Sequence, residues 1–194
     1  MAQVYSHMTM SLDGFIADPR GGVAELFDWY GAGPVEVPTA DGHQPFRVDQ
    51  ASAELLREIL TTTGALVCGR RLFDLTGGWS DNHPVGAPVV VVTHRRPEDA
   101  DGWERTHFAG SVPAAIAEAK KLAGDKNVCI ASANVAQQAL ELGLMDEVNV
   151  SLVPVLMGEG IPYFTNLAAA PHRFHDPVVI AGARATHLRY AVRR

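Results

Sequence analysis

The sequence is poor in the features that mark several large classes of protein. Its 194 residues include only two cysteines, and 16 basic against 22 acidic residues give a formal net charge of −6. The longest apolar run, APVVVV, is far shorter than the roughly 20 residues that a membrane-spanning helix needs. The start, MAQVYSHMTMSLDG, lacks the basic segment and apolar core of a secretory signal. We therefore expect a cytoplasmic protein that binds neither nucleic acid nor membranes.

The cysteines and histidines do not form a metal-binding pattern. Cys68 and Cys129 lie in the apolar segments GALVCG and NVCIA, which predicts buried structural thiols. His172 and His175 lie between two prolines, where a regular helix is disfavoured, so we expect no metal site. The length predicts one domain, residues 1–194.

Strands and helices alternate along the chain. A first strand is predicted over residues 3–10, and residues 31–47 form the longest loop, of a length typical of functional lids. Helices are predicted over 23–31, 48–64, 70–78, 111–124 and 134–143, further strands over 65–69, 87–94, 127–131 and 146–156, and a hairpin over 175–194. This order predicts an α/β fold with a mostly parallel sheet and a closing antiparallel hairpin. Ligands of such sheets bind beyond the carboxyl ends of the strands.

The first strand-to-helix turn of interest is VCGRRLFD, residues 67–74. Gly69 ends the predicted strand, and Arg70 and Arg71 begin the helix. Free N–H groups at a helix start favour an anion, and two arginines suit the additional phosphate of NADP. The alternative is that both arginines are solvated surface residues.

The second turn follows the strand VVVV with Thr93, His94, Arg95 and Arg96. A hydroxyl, an imidazole and guanidinium groups could line the adenosine phosphate of a dinucleotide. Equally, this could be a charged exit loop that lies away from any ligand.

The third turn, within KNVCIASANVAQQALEL, has no glycine. It consists of Ala131, Ser132, Ala133 and Asn134, and Ser132 or Asn134 could cap the following helix. A ligand would have to pass β-carbons to reach this backbone, and the small size of these side chains makes such an approach possible.

Three segments resemble the dihydrofolate-reductase-like superfamily: SLDGFIA, GALVCGRRLFD and QQALELGLMDEVNVSLVPVLMGEGIPYF. The closest branch is the reductase domain of the bifunctional riboflavin-biosynthesis deaminase–reductase, in a stand-alone form. The resemblance implies a single α/β domain, a three-layer sandwich that is usually a homodimer and uses NADPH.

The resemblance also implies site residues. Gly69 and Arg70, followed by Arg71, match a pair that meets NADPH phosphate, and Thr93 and His94 match the adenosine-side loop. Ala131 and Ser132 match two glycines joined by a cis peptide beside the pyrophosphate, with Ala133 and Asn134 next to them.

Two acidic residues are the catalytic candidates. Asp13 matches an acidic residue near the nicotinamide and substrate, where it would orient or protonate the substrate; alternatively, it only forms the turn before Gly14. Asp28, in ELFDWY, is a candidate for the carboxylate that dihydrofolate reductases place on a helix, with Glu25 as the alternative. Trp29 and Tyr30 could stack on a flat heterocycle or belong to the core.

The sequence departs from the family pattern at two places. Leu72 stands where many relatives have a threonine, and Ala131-Ser132 replaces the glycine pair. A cis bond between non-proline residues costs about 3–4 kcal/mol. If the cis bond is kept, the Ser132 hydroxyl could replace a contact that is lost with the glycines; if the bond is not cis, we expect cofactor binding to weaken or vanish.

The expected function is hydride transfer from NADPH to a pyrimidine- or pterin-type substrate, similar to 5-amino-6-(5-phosphoribosylamino)uracil reductase. The alternatives are dihydrofolate reductase activity and a non-catalytic ligand-binding dimer. Only Arg20, Arg47 and Arg57 precede the first cofactor turn, which favours a less charged substrate than the phosphorylated riboflavin intermediate.

Overall fold

The structure is a computed structural model that describes residues 2–165 and 167–193. Twelve strands are present in this part of the chain, and eight of them form one central sheet. The strands are β1 Val4–Met10, β2 Phe15–Ala17, β3 Val35–Val37, β4 Phe46–Val48, β5 Thr63–Gly69, β6 Val89–Val92, β7 Thr106–Ala109, β8 Asn127–Ile130, β9 Glu147–Leu152, β10 Ile161–Pro162, β11 Val178–Ala181 and β12 Thr186–Ala191.

The central sheet has the order β11-β12-β9-β1-β8-β5-β6-β7. Its six strands from β9 to β7 are parallel, with β1 between β8 and β9. The pair β11 and β12 is antiparallel, which confirms the predicted hairpin, and β12 also runs antiparallel to β9. The carboxyl ends of the parallel strands therefore meet at one edge of the sheet.

The helices cover both faces of this sheet. They are α1 Ala24–Phe27, α2 Gln50–Thr62, α3 Arg70–Leu75, α4 Val112–Ala123 and α5 Ala133–Glu141. Ser111 caps α4 by accepting a hydrogen bond from Ala114 N, and Gly124 follows the helix with a φ of 60°. Both features agree with the sequence signals for the start and end of this helix.

Alternate residues of β5 pack into different layers. Ala65 and Val67 join the apolar core under α4 and α5. Leu66 and Cys68 face the opposite side, where Phe73 of α3 packs. The residues between α1, α2 and the β3–β4 hairpin form a third cluster. This arrangement is the three-layer α/β sandwich expected from the sequence.

The structure corrects several sequence predictions. The loop predicted over residues 31–47 contains β3, which pairs with β4 as an antiparallel hairpin. Strand β7 was not predicted, because THFA is short and partly polar. Gly64 was expected to end a helix but lies inside β5. The helix predicted over 70–78 ends at Leu75 and is followed by a left-handed turn.

Both cysteines are free and buried, as predicted. In the described residues, no helix is long and apolar enough to span a bilayer.

Candidate active site

Three strand-to-helix turns come together at the carboxyl edge of the sheet. Gly69 N donates a hydrogen bond of 2.9 Å to the Ser132 hydroxyl, which joins the first turn to the third. The Arg70 Nη1 donates to the carbonyl of Arg95 at 3.1 Å, which joins the first turn to the second. Two hydrogen bonds thus connect the three turns that hold the predicted cofactor residues.

Gly69 lies at this junction, where a β-carbon would fit without a clash. Its backbone is extended, with φ −87° and ψ 158°. A Cβ added there would lie 3.7 Å from both the Ser132 hydroxyl and Val135 Cγ2, an ordinary contact distance. The free protein therefore has no steric need for glycine at this position.

The start of α5 lacks the side-chain cap that the sequence suggested. Ser132 occupies the N-cap position but makes no capping hydrogen bond, so this prediction was wrong. Its hydroxyl accepts from Gly69 instead. The Asn134 side chain accepts from Gln138 Nε2 on the same helix. The N–H groups of the first turn remain available to an anion.

The peptide bond between Ala131 and Ser132 is trans, and the cis bond among the described residues is Ala170–Pro171. The cis geometry implied by the family resemblance is therefore not adopted here.

The arginines of the first turn already have protein partners. Arg70 Nε pairs with Asp74 at 2.7 Å on the same helix, which offsets the unfavourable placement of a cation at a helix start. Arg71 Nη2 donates to the Pro19 carbonyl at 3.3 Å. Both side chains remain at the site edge, but a phosphate would share them with these acceptors.

The second turn is exposed and ordered by its own contacts. The Thr93 hydroxyl donates to the Arg95 carbonyl at 2.9 Å. His94 is exposed. Arg96 pairs with Asp101 at 2.6 Å.

Asp13 binds backbone and hydroxyl donors from two loops. It accepts from the Ser11 hydroxyl at 2.6 Å and from Gly158 N at 2.7 Å, and Met157 N lies 3.1 Å from both of its carboxylate oxygens. The Ser11 bond, together with the bonds from Gly158 and Met157, lowers the pKa of Asp13 to about 2. A carboxyl group with this pKa is ionised near neutral pH, so it is a poor proton donor.

Asp28 lies in a short 3-10 turn and is exposed. Its neighbour Trp29 is buried. The Trp29 ring packs against His187 at a tilt, with ring centroids 5.1 Å apart, and its Nε1 donates to the Thr9 hydroxyl at 3.3 Å. Tyr30 packs against Phe46. The aromatic pair is thus part of the core, and the catalytic role predicted for Asp28 stays a prediction.

No sequence pattern indicated the partly buried chain of hydrogen bonds that lies beside Trp29. His7 Nε2 lies 2.8 Å from the Ser151 hydroxyl, and that hydroxyl lies 2.8 Å from His187 Nδ1. His187 Nε2 lies 2.9 Å from the Ser52 hydroxyl, which donates to Asp49 at 2.7 Å. Asp49 also caps α2 through Ser52 N at 3.1 Å and accepts from Ala183 N. We call these five residues the polar chain.

Asp49 sets the direction of every bond in the polar chain. Partial burial raises the pKa of Asp49, but hydrogen bonds from Ser52 and Ala183 outweigh this effect and hold the pKa below its usual value. Because the ionised carboxylate only accepts, Ser52 donates to it and accepts from His187 Nε2. Neutral His187 then accepts at Nδ1 from Ser151, which accepts from His7 Nε2.

Burial keeps both histidines neutral. Desolvation, reinforced by the nearby His187 and Arg189, lowers the pKa of His7 to about 4. Desolvation likewise lowers the pKa of His187 to about 4, although Asp49 acts in the opposite direction. The residues of the polar chain come from four separate segments of the sequence, so no local sequence pattern could have predicted the polar chain.

Two open cavities of about 370 Å³ lie elsewhere on the surface. One borders α5 at Asn134, Gln137, Gln138, Glu141 and Leu142. The other lies on the opposite side of the sheet from the polar chain, and it is lined by Met10, Leu140, Val148, Val150, Tyr163, Phe164, Leu167, His172, Phe174 and Tyr190. Across the described residues, no group of three or more metal-ligating side chains is placed to hold a metal ion.

The fold of the chain is dihydrofolate-reductase-like. Dihydrofolate reductase of Enterococcus faecalis, complexed with NADP(H) and RAB-propyl, has a TM-score of 0.63 and 14% identity, with 99% of this chain and 97% of that chain covered. At this identity the likeness establishes the fold.

The chain belongs to the RibD C-terminal domain family, whose model matches residues 2–174. A Shewanella sp. PV-4 protein named for riboflavin biosynthesis is 25% identical, with a TM-score of 0.71 and 99% of both chains covered. A Thermotoga maritima diaminohydroxyphosphoribosylaminopyrimidine deaminase/5-amino-6-(5-phosphoribosylamino)uracil reductase has 15% identity and a TM-score of 0.60. The match covers 99% of this chain and 57% of that longer chain. A comparison with curated protein sequences found no match. Family membership supports a reductase-type function related to riboflavin biosynthesis.

Proposed function

We propose that this protein is an NADPH-dependent reductase that transfers hydride to a pyrimidine- or pterin-type ring, in a reaction similar to that of 5-amino-6-(5-phosphoribosylamino)uracil reductase. The observation that carries the proposal is the junction of Gly69, Arg70 and Ser132 at the carboxyl edge of the parallel strands. Ligands of open α/β sheets bind at this edge.

The residues at the junction suit the phosphates of a dinucleotide. Because Gly69 has no side chain, a pyrophosphate could approach its backbone beside Ser132, and α5 begins at the same edge without a side-chain cap. Arg70 and Arg71 would pair with the additional phosphate of NADPH, and Thr93 and His94 would lie on its adenosine side. When bound, NADPH would supply the hydride, while the protein holds the two rings in position.

A fluorescence titration with NADPH and NADH tests this proposal. Micromolar, saturable quenching by NADPH and weaker quenching by NADH are expected, because only NADPH can use both arginines. A Gly69→Ala variant should stay folded but bind NADPH about tenfold more weakly, since its Cβ enters the space for the pyrophosphate.

The matched control is Gly102→Ala, because a Cβ at Gly102 meets nothing within 4 Å and lies outside the site. If neither nucleotide binds the wild type up to about 1 mM, the reductase proposal fails and a non-catalytic binding protein becomes the better description.

Dihydrofolate reductase activity is the alternative reaction. It would be supported if Asp28→Asn abolished turnover of dihydrofolate while NADPH still bound. A homodimer is proposed on the family resemblance alone, and sedimentation analysis tests it.

A further inference from the structure

The central sheet ends at β11, and the outer edge of this strand is apolar. Among the described residues, β11 pairs with β12 alone. Its sequence, VVIA, has no charged residue, and Val178 and Val179 are 59% and 57% exposed. At the opposite edge of the sheet, the residues of β7 are buried or half-buried. Edge strands of soluble proteins usually carry charges, proline or a cover, so the exposed apolar edge of β11 indicates a contact surface.

The hairpin turn after β11 shows which backbone groups of the strand point outward. Gly182 N donates to the Ala185 carbonyl at 3.0 Å, so these two residues form a hydrogen-bonded pair. Bonded and non-bonded pairs alternate along an antiparallel ladder, so Ile180 is also bonded to β12. The N–H and C=O groups of Val179 and Ala181 therefore point away from β12, toward the open edge.

These outward groups complement the same groups of a second copy that runs antiparallel. When Val179 faces Ala181 of the second copy, the two residues exchange both of their hydrogen bonds, and the symmetric pair does the same. Ile180 then meets Ile180 of the second copy across the two-fold axis. This central position is a non-bonded one, where Cα atoms lie about 4.5 Å apart.

The charges at the two ends of β11 favour the same arrangement. Asp176 precedes the strand, Arg184 lies in the turn that follows it, and both are exposed. In an antiparallel pair, Asp176 of each copy lies beside the turn that carries Arg184 of the other copy. A parallel pair would place like charges together, which is unfavourable. The charge pattern therefore selects a second copy of this chain, in one orientation, as the occupant of the edge.

We propose that β11 is an interface at which a second copy of this chain pairs antiparallel, with Val179 facing Ala181, so that the two central sheets join into one. The inference uses neither the cofactor turns nor the family resemblance, so it is independent of the proposed function. Because the strand has four residues, we expect a reversible dimer that forms at micromolar concentrations.

Engineered cysteines test the register of the pair. In Ile180→Cys, the two new thiols face each other across the axis at a separation that suits a disulfide, so oxidation should give a covalent dimer. Val178→Cys is the matched control, because Val178 lies on the same side of the strand and is more exposed. Its two copies lie about 13 Å apart along the strand, too far for a disulfide. The native Cys68 and Cys129 are buried and should not react.

Analytical ultracentrifugation of substituted proteins tests the contacts. Asp176→Arg and Arg184→Asp should each raise the Kd of the dimer about tenfold, because each places like charges together. The double variant, with both substitutions, should recover the wild-type Kd. Val179→Lys should also raise the Kd at least about tenfold, since a charged edge opposes strand pairing. Leu142→Lys, at a 54% exposed leucine outside the sheet, is the matched control and should not change the Kd.

Circular dichroism of each variant confirms that the fold is kept. The proposal is overturned if the wild type stays monomeric up to about 100 μM, or if Val179→Lys and Leu142→Lys give the same Kd. A dimer that does not cross-link through Ile180→Cys, or whose Kd the double charge variant does not recover, uses another surface and also overturns it. NADPH binding is measured separately and tests the proposed function alone.

Discussion

Replacing Asp49 with alanine should destabilise the fold more than the loss of an ordinary helix cap. Asp49 caps α2 through Ser52 N, as Ser111 caps α4 through Ala114 N. Unlike Ser111, Asp49 also accepts from the Ser52 hydroxyl and from Ala183 N in the β11–β12 turn. Asp49→Ala and Ser111→Ala therefore both remove a helix cap, but only Asp49→Ala removes two further hydrogen bonds.

The size of the effect follows from these bonds. Loss of a helix cap costs about 1 kcal/mol, which is the whole effect expected for Ser111→Ala. Hydrogen bonds to a charged group contribute about 1.5–3 kcal/mol each, although neighbouring bonds do not add fully. We expect Asp49→Ala to lower the free energy of unfolding by about 3 kcal/mol.

Urea unfolding followed by circular dichroism measures both variants against the wild type. The slope against urea should stay constant, so that the midpoint alone reports stability. Histidine NMR gives an independent reading, because the structure predicts a proton on Nε2 of both His7 and His187 in the wild type. Equal destabilisation of the two variants would refute the contribution of the two additional bonds to Asp49. A proton on Nδ1 of His187 in the wild type would refute the direction assigned to the hydrogen bonds of the polar chain.

Three further predictions concern other parts of the molecule. Because burial lowers the pKa of His7 and His187 to about 4, the unfolded protein binds more protons than the folded protein below pH 6.5. The free energy of unfolding, measured with urea, should therefore fall by up to about 3 kcal/mol per histidine as the pH drops from 6.5 to 4. A free energy of unfolding that does not change over this pH range would contradict the prediction. Ser132→Ala removes the acceptor of Gly69 N, so it should lower the free energy of unfolding by about 1 kcal/mol and weaken NADPH binding. An unchanged affinity for NADPH would show that this hydrogen bond does not support the cofactor site. Burial raises the pKa of Cys68 and Cys129 to about 12, so a thiol reagent should modify neither in the native protein and both in denaturant.

The fold was largely predictable because apolar runs and helix-end residues mark its main elements locally. VVVV of β6 and ALVC of β5 are continuous apolar runs, typical of strands buried on both faces. Ser111 and Gly124 mark both ends of α4. The β3–β4 hairpin was missed because VEV and FRV are short, and proline and glycine dominate the segment around them.

The candidate site was predictable only where it is local. Each cofactor turn is a contiguous segment, so its glycine, arginines and small residues could be read directly from the sequence. The polar chain joins residues up to 144 positions apart, and no local pattern predicts such a contact. The sequence also directed attention to Asp28 as a carboxylate on a helix, whereas the structure places Asp49 at the start of α2 in a buried network.

Ser132, where the family resemblance implies a glycine, makes a different contact from the one that its place at a helix start suggests. A serine at a helix start normally caps that helix and occupies N–H groups that an anion would otherwise bind. Here the Ser132 hydroxyl accepts from Gly69 on the neighbouring strand, 63 residues away. This contact fixes the distance between two turns while it leaves the start of α5 uncapped. Ser132 therefore orders the junction between the two turns without occupying the N–H groups at the start of α5, which are the donors that the proposed phosphate site would need.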